Sequence, residues 1–412
     1  MDNKIIKVLK DQAAVTDSPF YLFDLDTFRE NIRRIRRETG NAAKLCFAMK
    51  CNPFLMPLAA LEVNRIEVCS YGEYCICRKD GIDPGKLLIS GVLKKPAELK
   101  RIVEECGSKA GYTVESMGQF AMLAELARKH REKLRVYIRL TSGNQFGLDR
   151  ESANTVFELA GMTPYLEIAG IHYYSGSQKR KAAKPVRELE KLDRLLLELQ
   201  DRFHVTIPEL EYGPGIPARY FEDQPEKLDE SFFKEIRKAI ADMTWKGRVT
   251  MEMGRVFAAS CGYYVTRVCD IKYSGETGYA ITDGGMHQMN YDGQIRGMYH
   301  PFVTVLTEND RRRENGRERD GEKSNPSANG NWTVCGCLCT ANDVLCAEQD
   351  LGPLKVGDIL AFGNVGAYSM VEGMALFLSH ELPAIFSYSK GEGSRCLRQP
   401  RECWEWNSGR TE

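Results

Sequence analysis

The chain has 412 residues, of which 43% are hydrophobic and 28% are charged, a balance typical of globular proteins. This length exceeds what one ordinary hydrophobic core supports, so about two domains are expected. Lysine plus arginine and aspartate plus glutamate each total 57, so the formal net charge is zero. That balance argues against a protein that binds nucleic acid through a basic surface.

The amino-terminal sequence and the cysteine pattern indicate a cytoplasmic protein. The opening MDNKIIKVLKDQ places charges where a signal peptide needs an apolar core, and the most apolar stretch, 370–386, is broken by Glu372 and His380. Neither export nor a membrane span is therefore expected. The 14 cysteines include a C-x-C-x-C run at 335–339, which lacks the paired spacing of zinc sites. We expect reduced thiols and no metal site.

Strand-like segments alternate with helical patterns from about residue 44. Helical spacing of apolar residues occurs at 96–106, 117–130 and 186–203. Strands that alternate with helices predict a parallel sheet with right-handed crossovers, and eight such units predict a (β/α)8 TIM barrel. The eight predicted strands are 43–49, 65–70, 86–90, 110–116, 134–140, 166–174, 209–213 and 249–254.

The pattern changes after about residue 255. Segments rich in β-branched and aromatic residues, separated by glycine-rich breaks, predict a mostly antiparallel β domain. PFYLFD at 19–24 resembles a strand and is expected to join that domain. The predicted organisation is a barrel over 25–260, with 1–24 and 261–412 forming the β domain. The polar, low-complexity stretch 308–330 is predicted to be a flexible surface loop.

Active sites of TIM barrels lie at the carboxyl ends of the strands. The predicted strand ends combine one lysine, glycine-rich backbone and a glutamate–arginine pair, which suits a phosphorylated cofactor held as a Schiff base. Those strand-end residues are Lys50, Ser70, Glu115, Tyr174, Gly213 to Gly215, and Glu252 to Arg255.

Each of these residues also has a purely structural interpretation. Lys50 could extend its amine to solvent, and YGPG at 212–215 could be an ordinary glycine–proline turn. Glu252 could be a surface carboxylate at a strand end. The functional interpretation is that Lys50 is an amine nucleophile with a lowered pKa, Arg255 completes a phosphate clamp, and Glu252 faces a pyridine nitrogen.

Ordered motifs from residue 19 to about residue 388 resemble the fold-type III pyridoxal-phosphate (PLP) decarboxylases, the family of diaminopimelate and ornithine decarboxylases. Each motif is weak alone, but their order and spacing together are specific. The motifs are FAMKCNP, EVCSYGE (67–73), FGLD (146–149), GIHYYSGSQ (170–178), YGPG, EMGR, TDGGMH (282–287), CGCLCTAND (335–343) and NVGAY (364–368).

The resemblance implies a role for individual residues. Lys50 is similar to the Schiff-base lysine, Cys339 to the cysteine that reprotonates the substrate carbon, and Asp343 to the aspartate of a C-x-x-x-D motif. In this family the cysteine enters the site from the second subunit, so a homodimer with shared active sites is implied. The implied PLP-binding residues are Lys50, Tyr174, Ser177, Gly213, Gly215, Glu252, Gly254, Arg255 and Tyr368.

Three positions depart from the family pattern. Tyr174 stands where a histidine usually covers the cofactor ring, and an aromatic ring can stack there equally well. Pro214 removes one N–H donor from the phosphate turn. Thr340 replaces an acidic residue that recognises a distal amine in relatives acting on free diamino acids, and a neutral side chain cannot pair with an ammonium.

The threonine and the surrounding motifs are closest to the subgroup that decarboxylates carrier-protein-bound glutamyl groups. Thr340 and Asp343 are predicted to bind substrate, and Arg296 and Tyr299 are either further substrate ligands or ordinary structural residues. Two alternatives to a decarboxylase stay open: an amino-acid racemase on the same barrel, and a non-catalytic regulatory homologue. Glu252 disfavours the racemase, because racemases of this fold place an arginine at that nitrogen.

Overall fold

The computed structural model describes residues 1–225, 228, 231–307 and 330–409. The chain divides into two compact units. The first, called the barrel unit below, comprises Arg29–Ala218 and Lys227–Phe257. The second, called the sheet unit, comprises Met1–Phe28, Arg219–Glu226 and Ala258–Glu412.

Eight parallel strands of the barrel unit close into a barrel, in which each strand pairs with the next and β9 pairs with β2. This confirms the predicted TIM barrel. The strands are β2 (Lys44–Ala48), β3 (Arg65–Val68), β4 (Leu87–Ile89), β5 (Gly111–Val114), β6 (Leu134–Leu140), β7 (Leu166–Tyr174), β8 (Glu209–Gly213) and β9 (Arg248–Met253).

Helices connect the strands and present apolar residues to them. The helix α6, for example, buries Phe120 and Leu123 at helical spacing. The helices are α2 (Leu25–Thr39), α3 (Met56–Glu62), α4 (Tyr71–Lys79), α5 (Pro96–Cys106), α6 (Met117–His130), α7 (Arg150–Gly161), α8 (Ala183–Phe203), α9 (Phe232–Ala241) and α10 (Arg255–Ala258).

Serine caps end two barrel strands earlier than the sequence predicted. Ser70 accepts a hydrogen bond from the Glu73 amide, and the Glu73 carboxylate accepts one from the Cys69 amide. This arrangement is close to a capping box, so helix α4 starts directly after β3. Ser116 caps α6 in the same way, through the amide of Gln119.

The sheet unit contains a nine-stranded sheet, in which β1 and β16 pair in parallel, as do β11 and β13, and the other pairs are antiparallel. The mostly antiparallel β domain is thus confirmed, and β1 joins it as expected. Helix α1 (Asn3–Ala13) precedes the strands β1 (Phe20–Asp24), β10 (Gly262–Ser274), β11 (Thr277–Thr282), β12 (Val303–Val305), β13 (Asn331–Cys335), β14 (Val344–Asp350), β15 (Ile359–Gly363), β16 (Ala384–Ser389) and β17 (Gly393–Arg398).

The predicted polar loop at 308–330 lies outside the described residues, except for Gly330. Among the described residues, none of the helices combines the length and the apolar character that a membrane span requires.

Candidate active site

Lys50 lies at the carboxyl end of the first barrel strand, in a single 3-10 turn formed by Met49–Cys51. Asn52, two residues after Lys50, caps the following turn by accepting a hydrogen bond from the Phe54 amide. The chain therefore leaves the strand abruptly, and the lysine side chain stays over the barrel. Its Nζ is 2.8 Å from Oε2 of Glu67 and 3.8 Å from Oε1 of Glu252.

Glu67, Glu252 and His172 form a buried polar cluster beside that amine. His172 is completely buried, and its Nε2 lies 2.9 Å from Oε2 of Glu252. Burial alone would raise the pKa of Glu67, but the nearby charges of Lys50 and His172 outweigh it and hold that pKa below its usual value. The ionised carboxylate is therefore the stable form of Glu67 in the folded protein.

Of Lys50 and the three cluster residues, Lys50 and Glu252 were predicted from the sequence as site residues, whereas Glu67 and His172 were not. Glu67 and His172 lie inside strands, a few residues before the predicted strand ends at Ser70 and Tyr174. The sequence does carry a signal for these two residues, because successive residues of a barrel strand face the interior and the exterior in turn. Glu67 shares its face of β3 with Arg65, and His172 shares its face of β7 with Gly170, while apolar residues lie between them on the opposite face. A charged residue at such a position points into the barrel.

A second charged layer lies in the barrel interior. Arg65 donates hydrogen bonds to Glu209 at 2.7 Å and to Glu211 at 2.5 Å, and Tyr137 donates to Glu209. Burial would raise the pKa of Glu209, but the Arg65 charge and hydrogen bonds lower it to about 2. We assign this layer a structural role, because its charges are mutually paired.

The loops that follow β7 and β8 contact each other through glycine backbone. The Lys179 amide donates to the Gly215 carbonyl at 2.9 Å, and the Ala218 amide donates to the Gln178 side chain at 2.9 Å. Gly215 has a φ of +68°, and a Cβ on it would overlap the carbonyl oxygen of Gly176. Only glycine permits this approach, and Gly176 and Gly215 form a glycine surface in which backbone segments come as close together as they do in phosphate-binding loops.

Ser177 is exposed next to this glycine surface, so its hydroxyl is available to a ligand. The Tyr174 ring lies against Gly213, where any Cβ would collide with it. Gly254 approaches Cys51 in the same way, because a Cβ on this glycine would lie only 2.9 Å from the Cys51 Cβ. Arg255 is the first residue of α10 and is partly exposed.

Two strand-end residues have structural roles. Ser70 is the cap of α4, as described above. Glu115 is buried and forms an ion pair with Arg139 at 3.1 Å. Pro214 is buried between the two glycines of its turn.

The remaining predicted site residues belong to the sheet unit. Cys339 is exposed and Thr340 is half-buried. Asp343 is buried, and its two carboxylate oxygens accept hydrogen bonds from the amides of Met286 and Leu338, each at 2.8 Å. The aspartate thereby holds the loop that carries Cys339.

Arg296, Tyr299 and Tyr368 also lie in the sheet unit. Arg296 is exposed and donates from Nε to the Asn342 side chain at 2.7 Å. Tyr299 stacks on Phe221, with 5.0 Å between ring centroids. Tyr368 is half-buried and has a φ of +67°.

The barrel residues fit pyridoxal phosphate on structural grounds. A lysine amine lies beside carboxylates at the barrel mouth, and the position that a Cβ on Gly176 would occupy has nothing within 4 Å, which leaves open space for an anion beside this glycine. Oε1 of Glu67 and Nδ1 of His172 are buried without a hydrogen-bond partner in the described part of the chain. Such groups are usually satisfied by a ligand, water or ion.

Comparison with known proteins gives the same assignment. Residues 25–259 match the family model of the pyridoxal-dependent decarboxylase, pyridoxal-binding domain. The chain is 26% identical over 408 residues to an L-glutamyl-[BtrI acyl-carrier protein] decarboxylase from Niallia circulans, covering 90% of each chain. It is 26% identical over 382 residues to a diaminopimelate decarboxylase from Zymomonas mobilis, covering 87% of this chain and 85% of that one.

A solved structure shares the fold. Diaminopimelate decarboxylase from M. jannaschii, in complex with L-lysine, superposes with a TM-score of 0.80 at 21% identity. The match covers 98% of this chain and 94% of that chain. With a family match over more than half of its residues, this chain belongs to the fold-type III, pyridoxal-phosphate-dependent decarboxylases.

Proposed function

We propose that this protein decarboxylates an amino acid, with Lys50 as the residue that carries the cofactor and Cys339 as the proton donor. The observation that carries the proposal is the position of Lys50 Nζ at the barrel mouth, 2.8 Å from Glu67 and 3.8 Å from Glu252. Lys50 is also the one lysine among the predicted strand-end residues.

When bound, pyridoxal phosphate accepts the electrons released as the bond between Cα and the carboxylate breaks. Glu252 keeps a proton on the pyridine nitrogen, which makes the ring a stronger electron acceptor. His172 positions the Glu252 carboxylate through the 2.9 Å contact between them. The Tyr174 ring, which lies against Gly213, would cover one face of the cofactor ring.

The phosphate is assigned to the glycine surface of the barrel unit. Gly176 and Gly215 supply close backbone, and Ser177 supplies a hydroxyl. Further cofactor contacts are proposed for Gly254, Arg255 and, by resemblance to the family, Tyr368 of the sheet unit.

Cys339 is proposed to donate a proton to Cα after carbon dioxide leaves. Its exposure supports this role, since a proton donor must reach substrate. We also propose that the protein is a homodimer, in which the sheet unit of one subunit completes the barrel site of the other, following the division predicted from the sequence into a barrel at 25–260 and a β domain at 1–24 and 261–412. In that arrangement Asp343 orders the Cys339 loop, Thr340 of the same loop contacts substrate, and further substrate contacts come from Arg296 and Tyr299 of the segment between β11 and β12.

The proposed substrate has no distal ammonium group. Thr340 is neutral, so it cannot form the charge-assisted hydrogen bond that recognises such a group. The relative from Niallia circulans, which is named for a glutamyl group on an acyl-carrier protein, supports a carrier-bound glutamyl substrate. A free dicarboxylic amino acid is the second member of the same substrate class.

The direct test is carbon dioxide release from a panel of D- and L-amino acids and glutamyl thioesters, with diaminopimelate, ornithine, lysine and arginine included. Lys50→Ala should abolish release, while Lys95→Ala, an exposed lysine paired with Glu98, should leave it unchanged. Borohydride reduction followed by peptide mass spectrometry should locate the cofactor on Lys50. Racemisation of a pure enantiomer without carbon dioxide release, or a cofactor on another lysine, would contradict the proposal.

A further inference from the structure

Three metal-ligand side chains of the sheet unit converge at a place outside the proposed decarboxylase residues. His287 follows β11, Cys337 follows β13, and His380 precedes β16. Their ligand atoms all lie within 4.8 Å of one another. Cys337 Sγ is 4.0 Å from His380 Nε2, and the two histidine rings are 5.1 Å apart.

His287 is the observation that needs an explanation. The side chain is only 1% exposed, and neither ring nitrogen has a hydrogen-bond partner among the residues that the structure describes. A buried polar group without a partner destabilises the folded protein, so such groups are usually satisfied by water, an ion or a ligand. A neutral imidazole has one N–H donor and one lone pair. A nitrogen of His287 lies near a cysteine sulfur and a second imidazole, and these are the side chains that bind transition-metal ions.

Main-chain and side-chain hydrogen bonds hold the three segments in place. The Cys337 amide donates to the Gly284 carbonyl at 2.8 Å, which joins the cysteine loop to the His287 loop. The Gln288 side chain donates to the Glu381 carbonyl at 2.9 Å, which joins the His287 loop to the His380 segment. Each ligand is thus tied to another through a neighbouring residue, so the cluster does not depend on a metal to bring its parts together.

The protonation states of His287 and Cys337 are compatible with metal coordination. Burial, with a contribution from the charge of His380, lowers the pKa of His287 to about 4, so its imidazole is neutral at physiological pH. A neutral imidazole is the form that binds metal. Burial and then the nearby Asp343 carboxylate raise the pKa of Cys337 to about 11, so without a cation the thiol keeps its proton. A bound dication would reverse that preference by stabilising the thiolate.

We propose that His287, Cys337 and His380 bind one divalent transition-metal ion of the zinc class. Two imidazoles and one thiolate are a nitrogen and sulfur donor set that Zn²⁺ favours. Ligands about 2.0–2.3 Å from a tetrahedral ion lie roughly 3.5 Å apart, so the 4.0 Å between Cys337 and His380 needs only a small side-chain adjustment. Cys337 and His380 are half-buried, which leaves an approach for the ion and for a fourth, solvent ligand.

This inference departs from the expectation of no metal site. Paired cysteines are the sequence signal of a zinc site, whereas here the ligands come from three segments separated by tens of residues. The site is independent of the proposed reaction, because its three ligands are not among the residues proposed to contact cofactor or substrate. Its predicted effect is to fix the loop that also carries Cys339.

The test is metal binding by the full-length, cofactor-loaded protein. After chelation and dialysis, equilibrium dialysis against Zn²⁺ and Co²⁺ should give one tightly bound ion per chain. Co²⁺ should produce visible bands and a sulfur-to-metal charge-transfer band. Cys337→Ala and His380→Gln should each weaken binding by more than about 100-fold, a larger loss than the 10–100-fold typical of an outer-shell partner.

The controls use side chains of the same types elsewhere. Cys396→Ser changes an exposed cysteine of the same unit and should bind metal like the unchanged protein, and so should Cys339→Ser. His287→Gln should also lose binding, and the half-buried Cys337 and His380 variants decide the question if that protein does not fold. Equal metal binding by the Cys337→Ala variant and the unchanged protein, or no tightly bound ion in either, would overturn the proposal.

Discussion

Nζ of Lys50 lies 2.8 Å from Oε2 of Glu67, a carboxylate whose side chain is only 1% exposed, while the lysine side chain is 41% exposed. The pair therefore joins a buried anion to an amine that a ligand can reach. Because Glu252 is a further 3.8 Å contact of the same amine, two carboxylates hold one lysine at the barrel mouth. This relationship leads to the first prediction.

Glu67→Gln should destabilise the cofactor-free protein by about 1–2 kcal/mol at neutral pH. Loss of one partner from a fully buried pair costs roughly 3–5 kcal/mol, and exposure of Lys50 reduces that. The pKa of Glu67 is lower in the folded protein than in the unfolded chain, where it is near the ordinary value of about 4.3. The stabilising contribution of the Glu67 carboxylate is therefore complete above that value and is lost as the pH falls below it. Urea unfolding at pH 7 and pH 4 should show the difference between the two proteins shrinking at acid pH.

The control for this measurement is Glu198→Gln, which removes an exposed ion pair with Arg150 and should change stability by less than about 1 kcal/mol. A difference between the Glu67→Gln variant and the unchanged protein that grows on acidification would contradict the assigned direction.

His172→Leu should lower kcat by about 10- to 100-fold and leave the cofactor bound. The 2.9 Å contact with Glu252 is a hydrogen bond to a charged group, worth about 1.5–3 kcal/mol, and its loss frees the carboxylate to move. His172→Gln, which can still donate, should recover part of the rate. A kcat unchanged in the leucine variant would show that Glu252 needs no positioning.

The barrel could be predicted from the sequence because its signals are local. Eight apolar segments separated by helical patterns define the strand count, and the closing pair of β2 with β9 follows from the parallel fold. The strand ends were less well predicted, because Ser70 and Ser116 act as helix caps and end β3 and β5 early. In the sheet unit, the β character was predicted but the bounds of single strands were not, since strands such as β14 and β17 carry exposed and polar residues without a strong alternating pattern.

Within the buried cluster beside Lys50, position along the strands predicted only the residues that end a strand. Lys50 and Glu252 meet that criterion, but Glu67 and His172 lie within strands and act through partners on other strands. The role of Asp343 shows a different limit. The motif predicts a substrate ligand, and that stays a prediction, whereas the backbone hydrogen bonds that both of its oxygens accept join distant segments and have no local sequence signal.

Gly215→Ala should weaken cofactor binding and destabilise the protein by more than about 1–2 kcal/mol, the cost of a left-handed L-residue. The additional cost arises because a Cβ would overlap the Gly176 carbonyl. Gly81→Ala is a matched control, with a φ of +67° against +68° and nothing within 4 Å of its Cβ. Cofactor titration followed by absorbance should show a loss of cofactor affinity only for Gly215→Ala. An equal loss of affinity in both variants would exclude a phosphate-binding role for this turn.

Lys94 should make stability increase with pH in a defined window. The buried ammonium donates to the Gly91 carbonyl, Thr113 and Gln119, and burial lowers its pKa to about 8, with partial compensation by the charge of Glu115. The unfolded chain keeps this proton up to about pH 10.4, so between pH 8 and that value the unfolded state binds more protons. Stability relative to Lys94→Met should therefore rise by about 3 kcal/mol across the window.

Urea unfolding of both proteins at several pH values measures this difference, and other titrating groups cancel in it. Lys95→Met changes a neighbouring exposed lysine and should follow the pH dependence of the unchanged protein. A difference that stays constant from about pH 7.5 to about pH 10.5 would mean that Lys94 is protonated in the fold throughout.

Mixed dimers test whether the active site is shared between subunits. Lys50→Ala and Cys339→Ala should each be inactive alone. If each site combines Lys50 of one subunit with Cys339 of the other, a heterodimer of the two variants has one site with both changes and one intact site. Random assortment then makes half of the dimers heterodimers, each with one of two sites intact, so about a quarter of full activity should return.

If both residues came from one chain, every site would carry one change and co-expression would restore nothing. Tagging the variants differently and purifying the heterodimer in two affinity steps should raise the recovered activity to about half, which a trace of contaminating unchanged enzyme would not do.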